Sequence, residues 1–278
     1  MLDGISRKIA DLERDLGAQL LIRSTRKVTV TDSGQRYYED ARRILDDVDD
    51  AERSASGEYR RPKGRLTITS PTMFGRLHVL PIVNGFMRVQ PDIDVRCLLT
   101  NVVVDLLSEQ INLGIRIGPL SDNSLIAIQA GSVRQIICAS PGYFSRHGRP
   151  RSPDDLTSHQ CISFAWTATP AEWLFKTPSG TVQRVQVHAR LMLNSIEGIV
   201  EAARGDGGIA MMYSYQAAPH IADGALEIVM DDYEIDPLPV TIIHPQGRLV
   251  PQKVRTFIDF AIPRLRKRLA VITDQCSA

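Results

Sequence analysis

Apolar residues near the start of the chain recur at Ile5, Ile9, Leu12 and Leu16, steps of four, three and four that draw one stripe along a helix. The pattern predicts a helix from residue 2 or 3 to 16, stopped by Gly17, where a left-handed backbone ends a helix without a Cβ penalty. Leu20-Leu21-Ile22 and Val28-Thr29-Val30 read as short strands around Arg23-Ser24-Thr25-Arg26-Lys27, a hairpin with a basic tip. Thr31 and Asp32 can cap a second helix, with Gln35 as capping-box partner. Along it Tyr37, Ala41, Ile44, Val48, Ala51 and Ala55 alternate steps of four and three, the rhythm of a coiled-coil seam. Its other faces are dense in Asp, Glu and Arg, so it is expected to pair with a copy from another chain.

Residues 54–65 mix Ser, Gly, Pro and Arg without periodicity and read as a hinge. Beyond it the texture changes. Strand patterns at 65–69, 93–99 and 113–117 alternate with helical ones at 71–90 and 104–110. A second block continues with strands at 135–139, 162–166, 173–176 and 182–193, a helix at 196–204 and a strand at 208–212. A last strand, 240–244, precedes a helix over 251–269. This alternation predicts an α/β protein with parallel sheets covered on both faces.

Composition narrows the function classes. The 278 residues are 43% hydrophobic and 23% charged, ordinary for a globular chain and long for a single core. The net charge of +1 means that any nucleic-acid contact rests on a local basic patch. Cys97, Cys138, Cys161 and Cys276 form no C-x-x-C pair and read as small hydrophobes in a reducing compartment. His159 and Cys161 are the nearest approach to a ligand pair, but further ligands are missing nearby, so no metal is expected. No apolar run approaches the roughly 20 residues of a membrane span, and the N-terminus lacks the apolar core of a signal peptide, so the expectation is a cytoplasmic protein.

No nucleophile elbow, phosphate loop, dinucleotide fingerprint or H-E-x-x-H helix is present, so neither an enzyme nor a cofactor is expected. Gly205-Asp206-Gly207-Gly208 follows a helix and precedes an apolar strand, the order of a helix stop and not of a phosphate cradle. Trp166 and Trp173 read first as core, with a cap on an aromatic ligand as the alternative.

Ser6-Arg7, Ile9, Leu12-Glu13, Leu16-Gly17, Leu20, Arg23, Arg26 and Thr31 with Gly34 follow, in order, the signature of the LysR-type transcriptional regulators, which this chain resembles. The resemblance continues through Arg116-Ile117-Gly118, Ala139-Ser140-Pro141-Gly142-Tyr143, His159-Gln160-Cys161 and 205–210, and so covers nearly the whole chain. It implies a partial winged helix-turn-helix over 1–34, a dimerising linker helix and hinge over 35–63, and an effector-binding domain over 64–270. That domain would resemble a type 2 periplasmic binding protein, with one lobe of about 64–133 plus 243–270 and a second of about 134–242. Family members carry about two further helices ahead of the recognition helix. Either the start lies upstream of Met1 or the chain is a truncated relic, and the second case leaves a ligand-binding dimer without DNA binding as the alternative function.

On this resemblance Ser6, Arg7 and Lys8 open the recognition helix and reach the major groove, while Arg23, Arg26 and Lys27 form a basic wing over phosphates. The partner is double-stranded operator DNA, bound by a homodimer or homotetramer. The effector would sit beyond the carboxyl ends of the strands, where Ser70, Thr72, Thr100, Asn101, Ile117, Gly118, Asn194 and Ser195 gather. Ser70 with Pro71, and Asn194 with Glu197, have the form of helix caps, and paired helix N-termini favour an anionic small molecule. Crossings near 131–134 and 241–245 would be the hinge on which the lobes close. A solute-binding protein shares this fold but needs export and has no use for a wing.

Overall fold

The structure, a computed structural model, describes residues 2–23, 27–55, 62–120, 124–164, 171–245 and 250–276. It forms two compact units, Met1–Arg61 and Pro62–Ala278.

The first unit is α1 (Leu2–Leu16), the hairpin β1 (Leu21–Arg23) and β2 (Val28–Val30), and the long α2 (Asp32–Ala55). Gly17 ends α1 with φ +62°, as its place in the sequence requires. Few apolar side chains are covered here. Ile5 and Leu16 of the α1 stripe are 58% and 43% exposed, and Ile44 and Val48 of the α2 seam are 53% and 47% exposed.

The second unit begins with β3 (Gly64–Ser70) and a continuous helix made of α3 (Thr72–Phe74), a π turn (Gly75–Val79) and α4 (Leu80–Val89). Then come β4 (Ile93–Leu99), β5 (Leu113–Ile117), β6 (Leu125–Val133), β7 (Gln135–Ala139), α5 (Pro141–His147), a 3-10 turn (Pro153–Ser158) and β8 (Cys161–Phe164). The hairpin β9 (Ala171–Lys176) and β10 (Val182–Val187) leads to β11 (Ala189–Leu193), α6 (Ile196–Arg204), β12 (Ile209–Tyr213) and α7 (Ser214–Ala222). The chain ends with β13 (Glu227–Val229), a 3-10 turn (Asp231–Tyr233), β14 (Leu238–Pro245) and α8 (Gln252–Gln275).

Two five-stranded sheets result, ordered β4-β3-β5-β14-β6 and β11-β8-β12-β7-β13. They are mixed, which corrects the all-parallel expectation: β14 runs antiparallel to β5 and β6, and β7 runs antiparallel to β12 and β13. The cause is the path of the chain. Each odd strand is the first laid down after the chain passes from one sheet to the other, so no crossover helix intervenes to make it parallel to its neighbours. One passage is at Arg134, between β6 and β7. The other lies between Val229 and Leu238, because β14 from Leu238 onward pairs within the first sheet; the expected hinge at 241–245 is thus a strand interior.

The core runs continuously through both lobes, from Leu66, Ile68 and Ile115 under α8 to Ile136, Ile162 and Ala210. Phe86 of α4 meets Phe257 of α8 edge to face, ring centres 5.1 Å apart.

Three further expectations change. Residues 104–110 form turns and not a helix: Asp105 accepts from the Ser108 backbone N–H at 2.6 Å, and Gln110 at φ +53° stops the turn. So short a segment, led by β-branched Val102, Val103 and Val104, does not recover the cost of helix nucleation. The predicted strand 182–193 breaks at His188 into β10 of the hairpin and β11 of the sheet. The last helix continues to Gln275, beyond residue 269, because Leu269, Ile272 and Cys276 are buried against the core. Trp173 is a core residue packed with Phe175 and Val185, whereas Trp166 lies outside the described residues. The described residues include no helix long and apolar enough to cross a membrane.

Candidate functional site: an N-terminal helix and hairpin, and a two-lobed cleft

In the first unit polar clamps do what a core would otherwise do. The Glu13 carboxylate accepts from the backbone N–H groups of Leu20 (2.8 Å) and Leu21 (2.9 Å), which holds the turn after α1 against the helix. Those two hydrogen bonds, the one from Leu21 first, hold its carboxyl below the usual glutamate range, and nearby Arg23 adds to the effect. Thr31 is the cap of α2: its hydroxyl oxygen accepts from Gly34 N at 2.9 Å and lies 2.7 Å from the Gln19 carbonyl. The expected capping-box bond to Gln35 is not among the described contacts; the Gln35 side-chain N–H donates to Glu39 at 2.7 Å. Gly34 is where α2 presses on the turn. A Cβ there would stand 2.1 Å from the Leu20 carbonyl oxygen, closer than any side chain tolerates.

The expected DNA-contact residues divide accordingly. Ser6, Arg7 and Lys8 lie exposed on the early turns of α1, and Lys27 lies exposed where β2 begins. Arg23 turns inward. Its Nη1 donates to Ser6 Oγ at 2.6 Å and its Nη2 to the Ser6 carbonyl at 3.3 Å, with Glu13 4.0 Å away. Arg26 lies outside the described residues.

In the second unit β3 and β4 end together, Ser70 opposite Leu99, so Ser70, Thr72, Thr100 and Asn101 meet at one edge of the first lobe. The cap of the helix that starts at Thr72 is not Ser70, as expected, but Asn101, whose Oδ1 accepts from Thr72 N at 3.0 Å. Ser70 is instead buried, with its hydroxyl 3.4 Å from the Pro71 carbonyl and its own carbonyl accepting from Thr100 N. A cap from 29 residues away has no local sequence signal. Gly118 closes β5 with φ +103° and donates to the Pro239 carbonyl at 2.9 Å, setting Ile117 and Gly118 at the inner end of that edge.

On the second lobe the cap of α6 is Ser195, one residue later than the expected Asn194. Its hydroxyl accepts from Gly198 N at 3.2 Å, and Asn194 stays exposed beside it. Two residues that sequence reading did not assign to the site join the lobes. Arg76, one turn along from Thr72, reaches Glu197 in the first turn of α6 at 3.6 Å. Only the spacing of Arg76 from Thr72 hinted at it. Behind this pair Phe74 of the first lobe meets Tyr215 of the second edge to face at 5.1 Å.

The two passages between lobes are also tied. Arg134 in the first grips Glu234 in the second through paired 2.7 Å hydrogen bonds and donates to the Cys276 carbonyl at 2.6 Å. The Gly205–Gly208 run ends α6, with Gly205 as its C-cap. Asp206 turns back to accept from the Ser140 hydroxyl and to pair with Arg146 at 2.7 Å, and both hold its carboxyl low.

Comparisons with known proteins agree with this organisation. The profile of the LysR substrate binding domain matches residues 60–266, and that of the bacterial regulatory helix-turn-helix protein, lysR family, matches residues 3–35. The HTH-type transcriptional regulator DmlR of Escherichia coli strain K12 is 32% identical over 257 residues, 92% of this chain and 83% of the relative. PtxR of Pseudomonas aeruginosa, another HTH-type transcriptional regulator, is 30% identical over 92% of this chain and 81% of its own length. Among solved structures, the full-length Vibrio cholerae virulence activator AphB is 29% identical with a TM-score of 0.66, covering 95% of this chain and 90% of AphB. CrgA, a LysR-type transcriptional regulator from Neisseria meningitidis, has the same TM-score at 25% identity, covering 95% of this chain and 89% of CrgA. This chain belongs to the LysR family of bacterial transcriptional regulators, with a helix-turn-helix segment followed by a substrate-binding domain.

Proposed function

We propose that this regulator binds double-stranded operator DNA through α1 and the hairpin tip, and that a small anion held between the two lobes sets its activity. In this reading Arg7 and Lys8 face the DNA from α1, Arg26 and Lys27 add phosphate contacts from the wing, and Ser6 with Arg23 fixes the helix relative to the hairpin. Ser70, Thr72, Thr100, Asn101, Ile117 and Gly118 line the effector site on one lobe, Asn194 and Ser195 on the other. The protein works in the cytoplasm, as a homodimer or homotetramer joined through the α2 seam, and binds its ligand without chemical change.

The observation that carries the effector reading is Arg76 on Glu197. It places a half-exposed guanidinium between two helix N-termini, both of which favour negative charge. A carboxylate entering the cleft replaces Glu197 on Arg76 and gains what the two helix ends supply. Such a ligand prefers closed lobes to open ones and shifts their equilibrium.

Two measurements test this. Fluorescence titration against the DNA upstream of the chain's own coding region should give a salt-dependent affinity whose slope flattens by about one phosphate in Arg7→Ala and in Lys27→Ala. Unchanged slopes in both variants sink the contact assignment. Solution scattering with a panel of mono- and dicarboxylates should show lobe closure with at least one of them and none in Arg76→Ala. Lobe spacing indifferent to every anion sinks the effector reading.

A further inference from the structure

The second unit carries a cavity away from the interlobe cleft. Between α4 and α8 lies a groove of about 520 Å³, within the size range of small-molecule sites, walled by the basic side chains of Arg88, Arg264, Lys267 and Arg268. Its lining contains no carboxylate, and among the described residues none of these four cations has an acidic partner. In a chain whose net charge is only +1, four cations around one groove without an acidic partner among the described residues repel each other, and a bound anion relieves that repulsion.

The wall holds a second, independent sign of a ligand. His78 is 8% exposed, and neither ring nitrogen has a hydrogen-bond partner among the described residues. A buried polar group left unpaired costs about 1–3 kcal/mol, so it is rarely kept without a use. The ring is gripped by Phe74 at 4.9 Å and Tyr215 at 5.5 Å, so it does not swing out to water. Burial first, then the charge of Arg268, lowers its pKa to about 4, so at neutral pH it is an uncharged imidazole able to donate one hydrogen bond. It sits on the π turn Gly75–Val79, an insertion of the kind that recurs at functional sites. Arg264 is fixed at the groove by stacking 3.5 Å above the Phe260 ring and donating to the Phe260 carbonyl at 2.8 Å.

The geometry points to a second small-molecule site, separate from the interlobe cleft, in which a multiply charged anion is held by Arg88, Arg264, Lys267 and Arg268, with the uncharged ring of His78 in the wall behind them. The class is a polycarboxylate or a phosphorylated metabolite. A bound anion would tie α8 to the helix that also carries Arg76, and so connect this groove with the cleft.

Calorimetric titration of the full chain, without DNA, with citrate and with pyrophosphate tests the proposal and separates the two anion types. The expected result is one saturable site for at least one of them. Lys267→Glu and Arg264→Glu, both at exposed positions, should each weaken it by about tenfold or more, as for loss of a charge-assisted hydrogen bond. Arg190→Glu, the same charge change on exposed β11, should leave it unaltered. In chain labelled at histidine ring carbons, the resonance that disappears in His78→Asn should move during the titration. Absence of saturable binding by both anions overturns the proposal. Equal weakening by Arg190→Glu overturns it in favour of diffuse attraction. Loss in Arg76→Ala with Lys267→Glu silent overturns it by placing the anion in the cleft. If the reversals weaken operator binding and leave the anions unaffected, the face is a DNA contact and the small-molecule site is wrong.

Discussion

The two units of this chain reach a defined structure by different means. The second is held by a continuous apolar core in which Phe74, Phe86, Leu113 and Phe257 are almost entirely buried. In the first, Leu20 is the only buried large apolar side chain among the described residues, and the contacts that define its shape are polar: Glu13 on two backbone N–H groups, Arg23 on Ser6, Thr31 on Gly34 and Gln19. The family signature falls on those clamps. In a small unit with little buried apolar surface, this polar motif thus does the holding that a core does in the second unit. The same motif residues that make the chain recognisable also leave its apolar stripes open to partners.

Core truncation should separate the units most strongly. Phe257→Ala removes a ring packed on Phe86 and should destabilise the second unit by about 3–5 kcal/mol, read from its urea transition, while the first unit's response to DNA is preserved. A single common transition in which both units fail together breaks the contrast. Next is the seam of α2. Ile44→Asp puts a carboxylate where a partner helix is expected and should weaken self-association about a hundredfold by sedimentation, since an unpaired buried charge costs several kcal/mol. An unchanged oligomer shows that α2 is not the interface.

Gly34→Ala is the sharper probe of the first unit. The added Cβ meets the Leu20 carbonyl, so α2 must shift at a cost of about 1–3 kcal/mol, with operator affinity falling and the second unit's transition unmoved. A smaller effect is expected of Arg76→Ala, since a half-exposed pair contributes about 0–1 kcal/mol to stability; its signature is in lobe closure by scattering and not in melting. The smallest concerns Glu13. Its folded pKa is lowered, so its contribution to stability is present above the ordinary glutamate value of 4.5 and is lost as the pH falls through the folded value. Glu13→Gln keeps an acceptor for Leu20 and Leu21 and should change little at neutral pH while flattening the acid limb of the first unit's unfolding curve. An acid limb identical to that of the unaltered chain removes Glu13 from the account.

Much of this was legible before any coordinates. The α1 stripe, the Gly17 stop, the basic hairpin, the heptad helix and most strands of the second unit each follow from local spacing, and local spacing is what propensity and periodicity report. The effector edge was legible as a location, because strand ends gather there whatever the details. Its caps were not. Asn101 satisfies Thr72 across 29 residues, a pairing no window along the chain contains. Ser195 won over Asn194 because the first turn of α6 begins one residue later than the Asn–Glu spacing suggested. The pairing of Arg76 with Glu197 and the burial of His78 were not legible for the same reason: each depends on a neighbour on another element.

By itself, then, the sequence determined the family, the division into an N-terminal unit with a basic hairpin tip and a two-lobed α/β domain, and most elements of each. Those are consequences of local pattern and ordered motif. The tertiary structure alone decided that β7 and β14 run against their sheets, that the lobes meet through Arg76 on Glu197, that Arg134 ties both passages, and that His78 faces a basic groove without a partner. Each of these depends on where the chain returns after a long excursion, and burial and pairing across such distances are properties of the packed molecule.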